Sequence, residues 1–329
     1  MRAVGLVANP ASGKDIRRLT GKASVFDNRE KLAIVRRAVV GAIAAGAEHF
    51  IYMNDSHGIV RQALAEIDVP KGIKFEALPG PESSSAMDTV AAAEQMAQRD
   101  CAVVLVLGGD GTNRAFVRGW RDSTLISLST GTNNVFPVMA EATVAGMALG
   151  LVARGQIRIA AVADQVKIID IEIEDEEPDI ALIDAVLTTE VFIGARALMT
   201  PEALREAFLC RAEPAAVGIT SLGGLIKPVS DRDEFGLHVT FSSAGKRLYA
   251  PMSPGTFESI GVGQSKRIKL GRTLRSQGPG VLAFDGERER VVGLGQKIAM
   301  QMSRTGPKVI NLSRCLHKAA TQKLFVRSN

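Results

Sequence analysis

At 329 residues, 46% apolar and 23% charged, the chain has a normal globular balance and enough length for two ordinary domains with a sizeable core. Aromatic residues make up 5%, so that core is aliphatic; the net charge of +5 is scattered, which suits a small polyanion and argues against nucleic acid, whose binding needs a basic stripe and stacking aromatics. Cys101, Cys210 and Cys315 are far apart and odd in number, so they read as buried thiols rather than a disulfide framework or a zinc site. No run of 18 apolar residues occurs and the N-terminus M-R-A-V-G-L-V-A-N-P is too short in its apolar part for a signal peptide, so the expected setting is cytoplasmic, without stable membrane insertion.

In chain order, strand and helix signals alternate. Val4 to Ala8 is a short buried-strand run ending at Asn9-Pro10. Residues 30–46 predict a helix with Leu32, Val35, Val39 and Ile43 on one face and Gly46 as its stop. Phe50 to Met53 is the next strand, His57 to Ile67 a helix, and Ile73 to Leu78 a strand closed by the P-G-P turn at 79–81. Ser83 or Ser84 is expected to cap a helix running to about Gln98. Ala102 to Leu107 and Leu125 to Leu128 are continuous apolar strands, and a helix from about Ala142 to Ala153 closes this half. Such alternation predicts an α/β domain over residues 1–155, a doubly wound parallel sheet covered on both faces. Ligands of such sheets sit at the carboxyl ends of strands, where three polar turns fall: N-P-A-S-G-K at 9–14, G-G-D-G-T at 108–112 and T-G-T-N-N at 130–134.

The pattern changes near Gln156. Lys167 to Ile173 alternates apolar and polar, an acidic turn follows at 174–179, and Ile180 to Thr189 is the return strand. One helix is expected over about Glu202 to Leu209, followed by Gly-rich strand-like segments to about residue 312. Residues 156–312 therefore predict a mostly antiparallel β-rich domain, and 313–329 a terminal helix or tail packing back on the first domain.

The G-G-D-G-T turn is the strongest local signal. Its glycines, Gly108, Gly109 and Gly111, let a ligand approach the backbone without a Cβ in the way. Its N–H groups, and those of a following helix, favour phosphate oxygens, and Thr112 adds a hydroxyl. Asp110 is the odd member, a negative charge beside a phosphate cradle. It can ligate Mg²⁺, accept a proton from an attacking hydroxyl or bind ribose hydroxyls; equally, it can simply cap the next helix. Thr130, Gly131, Thr132, Asn133 and Asn134 combine hydroxyls, a glycine and two amides, fit for a phosphate or sugar edge or for helix capping. Asn9, Ser12 and Lys14 form a third cluster, in which Lys14 can be a ligand or an ordinary loop lysine.

Two familiar phosphate motifs are excluded. Gly13-Lys14 lacks the glycine five positions before it and is followed by Asp15, so it is not a P-loop; Gly261 and Gly263 are followed by Lys266, so G-x-G-x-x-G is absent there. In the second half, F-D-G-E at 284–287 reads as a hairpin turn or as a functional carboxylate pair, Asp285 and Glu287. T-T-E at 188–190 brings Glu190 to a strand end that either faces a cleft or is merely a strand end. His49, His57, His238 and His317 show no ligand spacing, and no metal ligand set is assigned.

N-P-A-S-G-K-D-I-R-R at 9–18, V-F-D-N-R-E-K at 25–31, L-G-G-D-G-T-N at 107–113 and S-T-G-T-N-N-V-F-P at 129–137 together resemble the superfamily of NAD kinases and diacylglycerol or sphingosine kinases. More closely, the chain resembles the ATP-NAD-kinase-like branch of acetoin-catabolism X proteins, over most of its length. The resemblance implies a nucleotide domain, a β-rich domain and a site between them. It implies that Gly108, Gly109, Gly111 and Thr112 hold nucleotide phosphates, that Thr130 to Asn134 line the nucleotide site, and that Asp110 contacts the acceptor and is the candidate base. The D-G-E of lipid kinases in this superfamily resembles Asp285 to Glu287. The chain departs from NAD kinases in having Thr189-Glu190 where they carry Asn-Glu, and G-I-T-S-L-G-G-L-I-K-P at 218–228 where they carry T-P-T-G-S-T-A-Y before Gly-Gly-Pro.

The expected activity is transfer of a phosphoryl group from ATP, with Mg²⁺, to a hydroxyl acceptor such as NAD. Competing expectations are a lipid-alcohol kinase and a non-catalytic nucleotide-binding protein linked to acetoin catabolism. A homo-oligomer is expected on resemblance alone.

Overall fold

The structure, a computed structural model, describes residues 2–13, 26–131, 133–190 and 201–326, with backbone only at 287–289. Lys14 and Thr132 lie outside the described residues.

The first half builds β1 (Val4–Ala8), β2 (His49–Met53), β3 (Lys74–Leu78), β4 (Val103–Gly108) and β5 (Thr124–Ser129), with helices α1 (Asn28–Ala44), α2 (Ile59–Ala65), α3 (Ala86–Gln98), α4 (Asp110–Gly119) and α5 (Ala142–Ala153). Two later strands complete the sheet, β6 (Ala163–Gln165) and, from near the C-terminus, β17 (Lys308–Ile310). The order is β3-β2-β1-β4-β5-β17-β6, parallel except where β6 runs against β17. Both faces are covered, as continuous apolar strands require. Val4, Leu6 and Val103 pack under α1, α2 and α5 on one side; Val7, Val104 and Val106 pack under α3 and α4 on the other. The terminal helix α7 (Leu312–Thr321) returns to the first of these layers, burying Cys315 and Ala319 with Leu149 and Val152.

The second half is antiparallel. The remaining strands are β7 (Ile168–Ile173), β8 (Asp179–Ala181), β9 (Asp184–Thr188), β10 (Leu204–Leu209), β11 (Phe235–Ser253), β12 (Thr256–Lys269), β13 (Thr273–Gln277), β14 (Gly280–Phe284), β15 (Glu287–Val292) and β16 (Lys297–Ser303). They form two sheets, ordered β12-β11-β10-β9-β14-β15 and β13-β16-β7-β8. The sheets share a core of Ile169, Ile171, Leu187, Phe208, Phe284 and Met300. The outer face of the larger sheet is covered by α6 (Ile219–Ile226). This is the expected α/β fold with a parallel-sheet domain followed by a mostly antiparallel one. Among the described residues, no helix is long and apolar enough to cross a membrane.

Three local expectations are corrected. Residues 204–209 are not helical: β10 sits between β9 and β11, and its ladder partners on both sides override the helix propensity of L-R-E-A-F-L. The helix lies instead at Ile219–Ile226, where strand was expected. Its Gly223 and Gly224 disfavour a helix in isolation, but any Cβ there would meet Leu209 Cδ2 at 2.9 Å and Pro214 N at 2.4 Å. And α3 is capped by Ser85, whose hydroxyl accepts from Met87 N–H, while Ser83 donates to Asp88 and Ser84 takes a positive φ of 60°.

Candidate functional site

Strand order places the site. From β1 the chain steps outward to β2 and β3 on one side, while β4 and β5 lie on the other, so the carboxyl ends of β1 and β4 flank the switch point of the sheet. There Asn9 N–H donates to Leu107 O at 3.2 Å, and Asn9 Nδ2 donates to Thr112 Oγ1 at 2.9 Å. The first two polar turns thus meet directly. Residues 9–12 are shaped from beneath by Lys31, whose fully buried Nζ donates to the carbonyls of Asn9, Pro10 and Ser12 at 2.9, 3.0 and 2.6 Å and to Asn28 Oδ1 at 3.1 Å.

G-G-D-G-T is the junction of β4 and α4. Gly109 is the N-cap, without a side chain to satisfy the first helical amides, so this helix N-terminus presents them toward the turn. Space explains both leading glycines: a Cβ on Gly108 would meet Thr112 Cβ at 2.5 Å, and one on Gly109 would meet Asn134 Oδ1 at 2.9 Å. Asp110 does not cap its own helix. Its carboxylate accepts from Val135 N–H at 3.1 Å and Phe136 N–H at 2.8 Å, the backbone just past T-G-T-N-N. Asn113 and Ser127, both buried, brace the junction: Asn113 Nδ2 donates to Gly109 O at 2.8 Å, and Ser127 Oγ to Asn113 Oδ1 at 2.6 Å.

The third turn is folded on itself. Ser129 Oγ donates to Gly131 O at 2.5 Å, and Asn134 Nδ2 donates to Ser129 Oγ at 2.7 Å. Asn134 therefore holds the turn's shape. Thr130 is fully buried, and its carbonyl lies 3.1 Å from where a Cβ on Gly13 would stand, so the 9–13 loop seats on this turn.

Arginines cross between the domains in both directions. Arg114, from α4, donates through Nε to Ile180 O at 2.6 Å, pairs with Asp179 at 2.9 Å, and lies 4.6 Å over the Phe284 ring. Arg118 and Arg290 also reach Asp179, at 3.4 and 3.3 Å. Burial pushes the Asp179 carboxyl up, but Arg114, the Ile180 amide and Arg118 outweigh it and hold the group below its ordinary range. Arg211 crosses the other way. It follows β10, pairs through Nε and Nη2 with Asp231, donates from Nη1 to Val135 O at 3.2 Å, and stacks 5.2 Å over Phe136.

F-D-G-E is a hairpin turn joining β14 to β15, with positive φ at Asp285 (50°) and Gly286 (83°). Its carboxylate is buried and accepts the amides of Leu182, Ile183 and Asp184 at 3.0, 2.7 and 3.3 Å. Burial pushes Asp285 up to about 6; Arg114 and the amides pull it down, and the nearby charge of Asp110 pushes it up further. The two sequence-flagged aspartates are therefore electrostatic neighbours across the domain boundary. The Glu287 side chain lies outside the description. Glu190 stands past the far end of β9, roughly 20 Å along the strand from the Asp285 end at 3.3 Å per residue. Cys210 is fully buried and its thiol is pushed well above its ordinary range by burial, an inert core residue.

The roles of Lys31, Asn113, Arg114, Asp179 and Arg211 escaped sequence reasoning, although Lys31 and Asn113 close two of the motifs quoted above. Lys31 left a signal: it precedes Ile34, Val35 and Ala38 at helical spacing, on the face α1 buries. Arg114 and Arg211 find partners 66 and 76 positions away, which no local pattern reveals. Two clefts of about 610 and 930 Å³ open beside the smaller sheet, away from Asp110.

Residues 4–157 match the family model of the ATP-NAD kinase N-terminal domain, and residues 167–305 match that of the acetoin catabolism protein X C-terminal domain. The chain is 36% identical to acetoin catabolism protein X of Cupriavidus necator, over 98% of this chain and 93% of that one. Among solved structures, yeast NADH kinase complexed with NADH superposes with a TM-score of 0.56 at 13% identity, covering 100% of this chain and 89% of that one. At that identity the likeness is one of fold.

Proposed function

The chain belongs to the acetoin catabolism protein X family, and on that premise we propose that it is a nucleotide-dependent phosphotransferase, moving a phosphoryl group from a nucleoside triphosphate to a hydroxyl acceptor in acetoin or related carbon metabolism. The observation that carries this reading is the Asp110 carboxylate, oriented by the Val135 and Phe136 amides at the switch point between two phosphate-compatible turns. The α4 N-terminus, Gly108, Gly109, Gly111 and Thr112 receive the phosphates, with Asn9, Thr130, Gly131, Asn133 and Asn134 in the adjoining turns. Asp110 orients the acceptor hydroxyl and takes its proton, directly or through a water. Asp285, held by three amides, stabilises the β8–β9 connection facing Asp110 and is not the proton acceptor.

Among the described residues no three His, Cys, Asp or Glu side chains converge as a metal cage. Nucleotide-borne Mg²⁺ needs no such cage, since phosphate oxygens and waters can supply most of its ligands, which leaves the Asp110 carboxylate to the acceptor hydroxyl. Bound there, the ion would offset phosphate charge beside the carboxylate. NAD is the first acceptor to test.

The test is thermal stability in ATP, ADP, NAD and NADP, with and without Mg²⁺, followed by turnover. A ligand at 100 times its Kd adds about 2.7 kcal/mol. Stabilisation by ATP and NAD with turnover between them supports the proposal, and no stabilisation by any nucleotide overturns it. Departure from the NAD-kinase pattern at 218–228 favours a second reading, a non-catalytic nucleotide-binding protein. Nucleotide binding without turnover across an acceptor panel would select it.

A further inference from the structure

We propose that Arg211 is a positioning residue for Asp110, so that the reactive carboxylate of the first domain is set by an arginine of the second. The inference rests on the catalytic reading of Asp110 above. Four contacts carry it. The peptide 135–136 is gripped from both sides: its amides donate to Asp110, and its Val135 carbonyl accepts from Arg211 Nη1 at 3.2 Å. The Phe136 ring, 3% exposed, lies under the guanidinium at 5.2 Å. Arg211 is aimed by Asp231, which takes Nε at 2.6 Å and Nη2 as well. Asp231 is itself anchored in the second domain, because its carbonyl accepts from Arg304 at 2.7 Å and the neighbouring Ser230 carbonyl accepts from the buried Lys167 at 2.9 Å.

The chain of contacts therefore runs from the body of the β-rich domain through Asp231 and Arg211 to one peptide segment, and from there to the Asp110 carboxylate. Without Arg211, that segment keeps its attachment to the turn but loses its fixed plane, and the two amides no longer define where the carboxylate points. A planar guanidinium serves this better than an ammonium, since it pairs with a carboxylate, donates to a carbonyl and stacks on a ring at once. The arrangement links domain docking to site geometry. Arg114 holds the domains together at the middle of α4, and Arg211 reports the docked state to the helix's first residue.

The experiment is amide hydrogen exchange at Val135 and Phe136, with turnover on Mg·ATP and NAD, for wild type, Arg211→Met, Arg211→Lys, Asp110→Asn and the Arg211→Met/Asp110→Asn double variant. In Arg211→Met, exchange at these two amides should accelerate about tenfold, the size of one charge-assisted hydrogen bond, while the β1 and β4 amides keep their protection. The kcat should fall by about the same factor with little change in nucleotide KM, and Arg211→Lys should lie between. The double variant should be no slower than Asp110→Asn alone, because both changes act through one group. Asp231→Asn should give a weaker version of the same pattern, and it serves if Arg211→Met does not fold. Unchanged exchange at 135–136 in a folded variant, or fully additive losses in the double variant, would overturn the proposal. Accelerated exchange together with wild-type turnover in Asp110→Asn would leave Arg211 as the support of the turn and sink the catalytic reading of Asp110 instead.

Discussion

Two turns in this chain set an aspartate beside glycine, and both aspartates end up holding backbone amides of another segment. Asp110 takes the amides of Val135 and Phe136; Asp285 takes those of Leu182, Ile183 and Asp184. They differ in burial. Asp285 is 5% exposed and sits under the domain boundary, whereas Asp110 is half-buried at the mouth of the parallel sheet. A carboxylate that water cannot reach can pin a loop but cannot meet an acceptor. The same local chemistry thus serves structure in one place and is available for reaction in the other.

Substitutions separate the two. Asp285→Ala leaves three buried amides without their acceptor and should lower unfolding stability by about 3–5 kcal/mol, read by urea titration. The pH dependence follows from the raised carboxyl of Asp285. Its folded state holds the proton more tightly than the unfolded chain does, so its contribution is present below pH 3.8 and is lost as pH rises through about 6. Over that window wild type should lose up to about 3 kcal/mol from this group, and Asp285→Asn, which does not titrate, should flatten that part of a melting-against-pH curve. Asp110→Asn should reverse the pattern, with kcat falling roughly 10²-fold and stability moving by less than about 1 kcal/mol. Near-normal turnover in that variant would erase the distinction. Smallest is Asn9→Ala, which removes the bond to Thr112 and the acceptor of the exposed Ala11 N–H and should cost about 1 kcal/mol, visible as a small melting shift.

How far each turn could be read before the structure differs in the same way. The parallel domain announces itself through apolar strands and helical spacing, and Asp110 falls at a predicted strand end. The antiparallel domain does not: L-R-E-A-F-L favours helix, and only its ladder partners 184–188 and 237–240 make it strand. The helix at 219–226 carries two glycines that lower its propensity and are there because β10 and Pro214 lie too close for any Cβ. What makes Asp110 and Asp285 different is likewise non-local, since burial and the Arg114 and Arg211 crossings depend on how distant segments dock. Hairpin chemistry at Asp285-Gly286 is visible in the sequence; the three amides waiting for its carboxylate are not.

Lys31 has a consequence beyond packing. Three carbonyl oxygens and one amide oxygen gather around its Nζ much as oxygens gather around a bound potassium ion. The loop that meets Thr112 thus carries its own monovalent cation, tethered to α1 by the lysine stem. A tethered ion is not diluted or exchanged, so this loop should keep its shape whether the surrounding salt is sodium or potassium, concentrated or scarce.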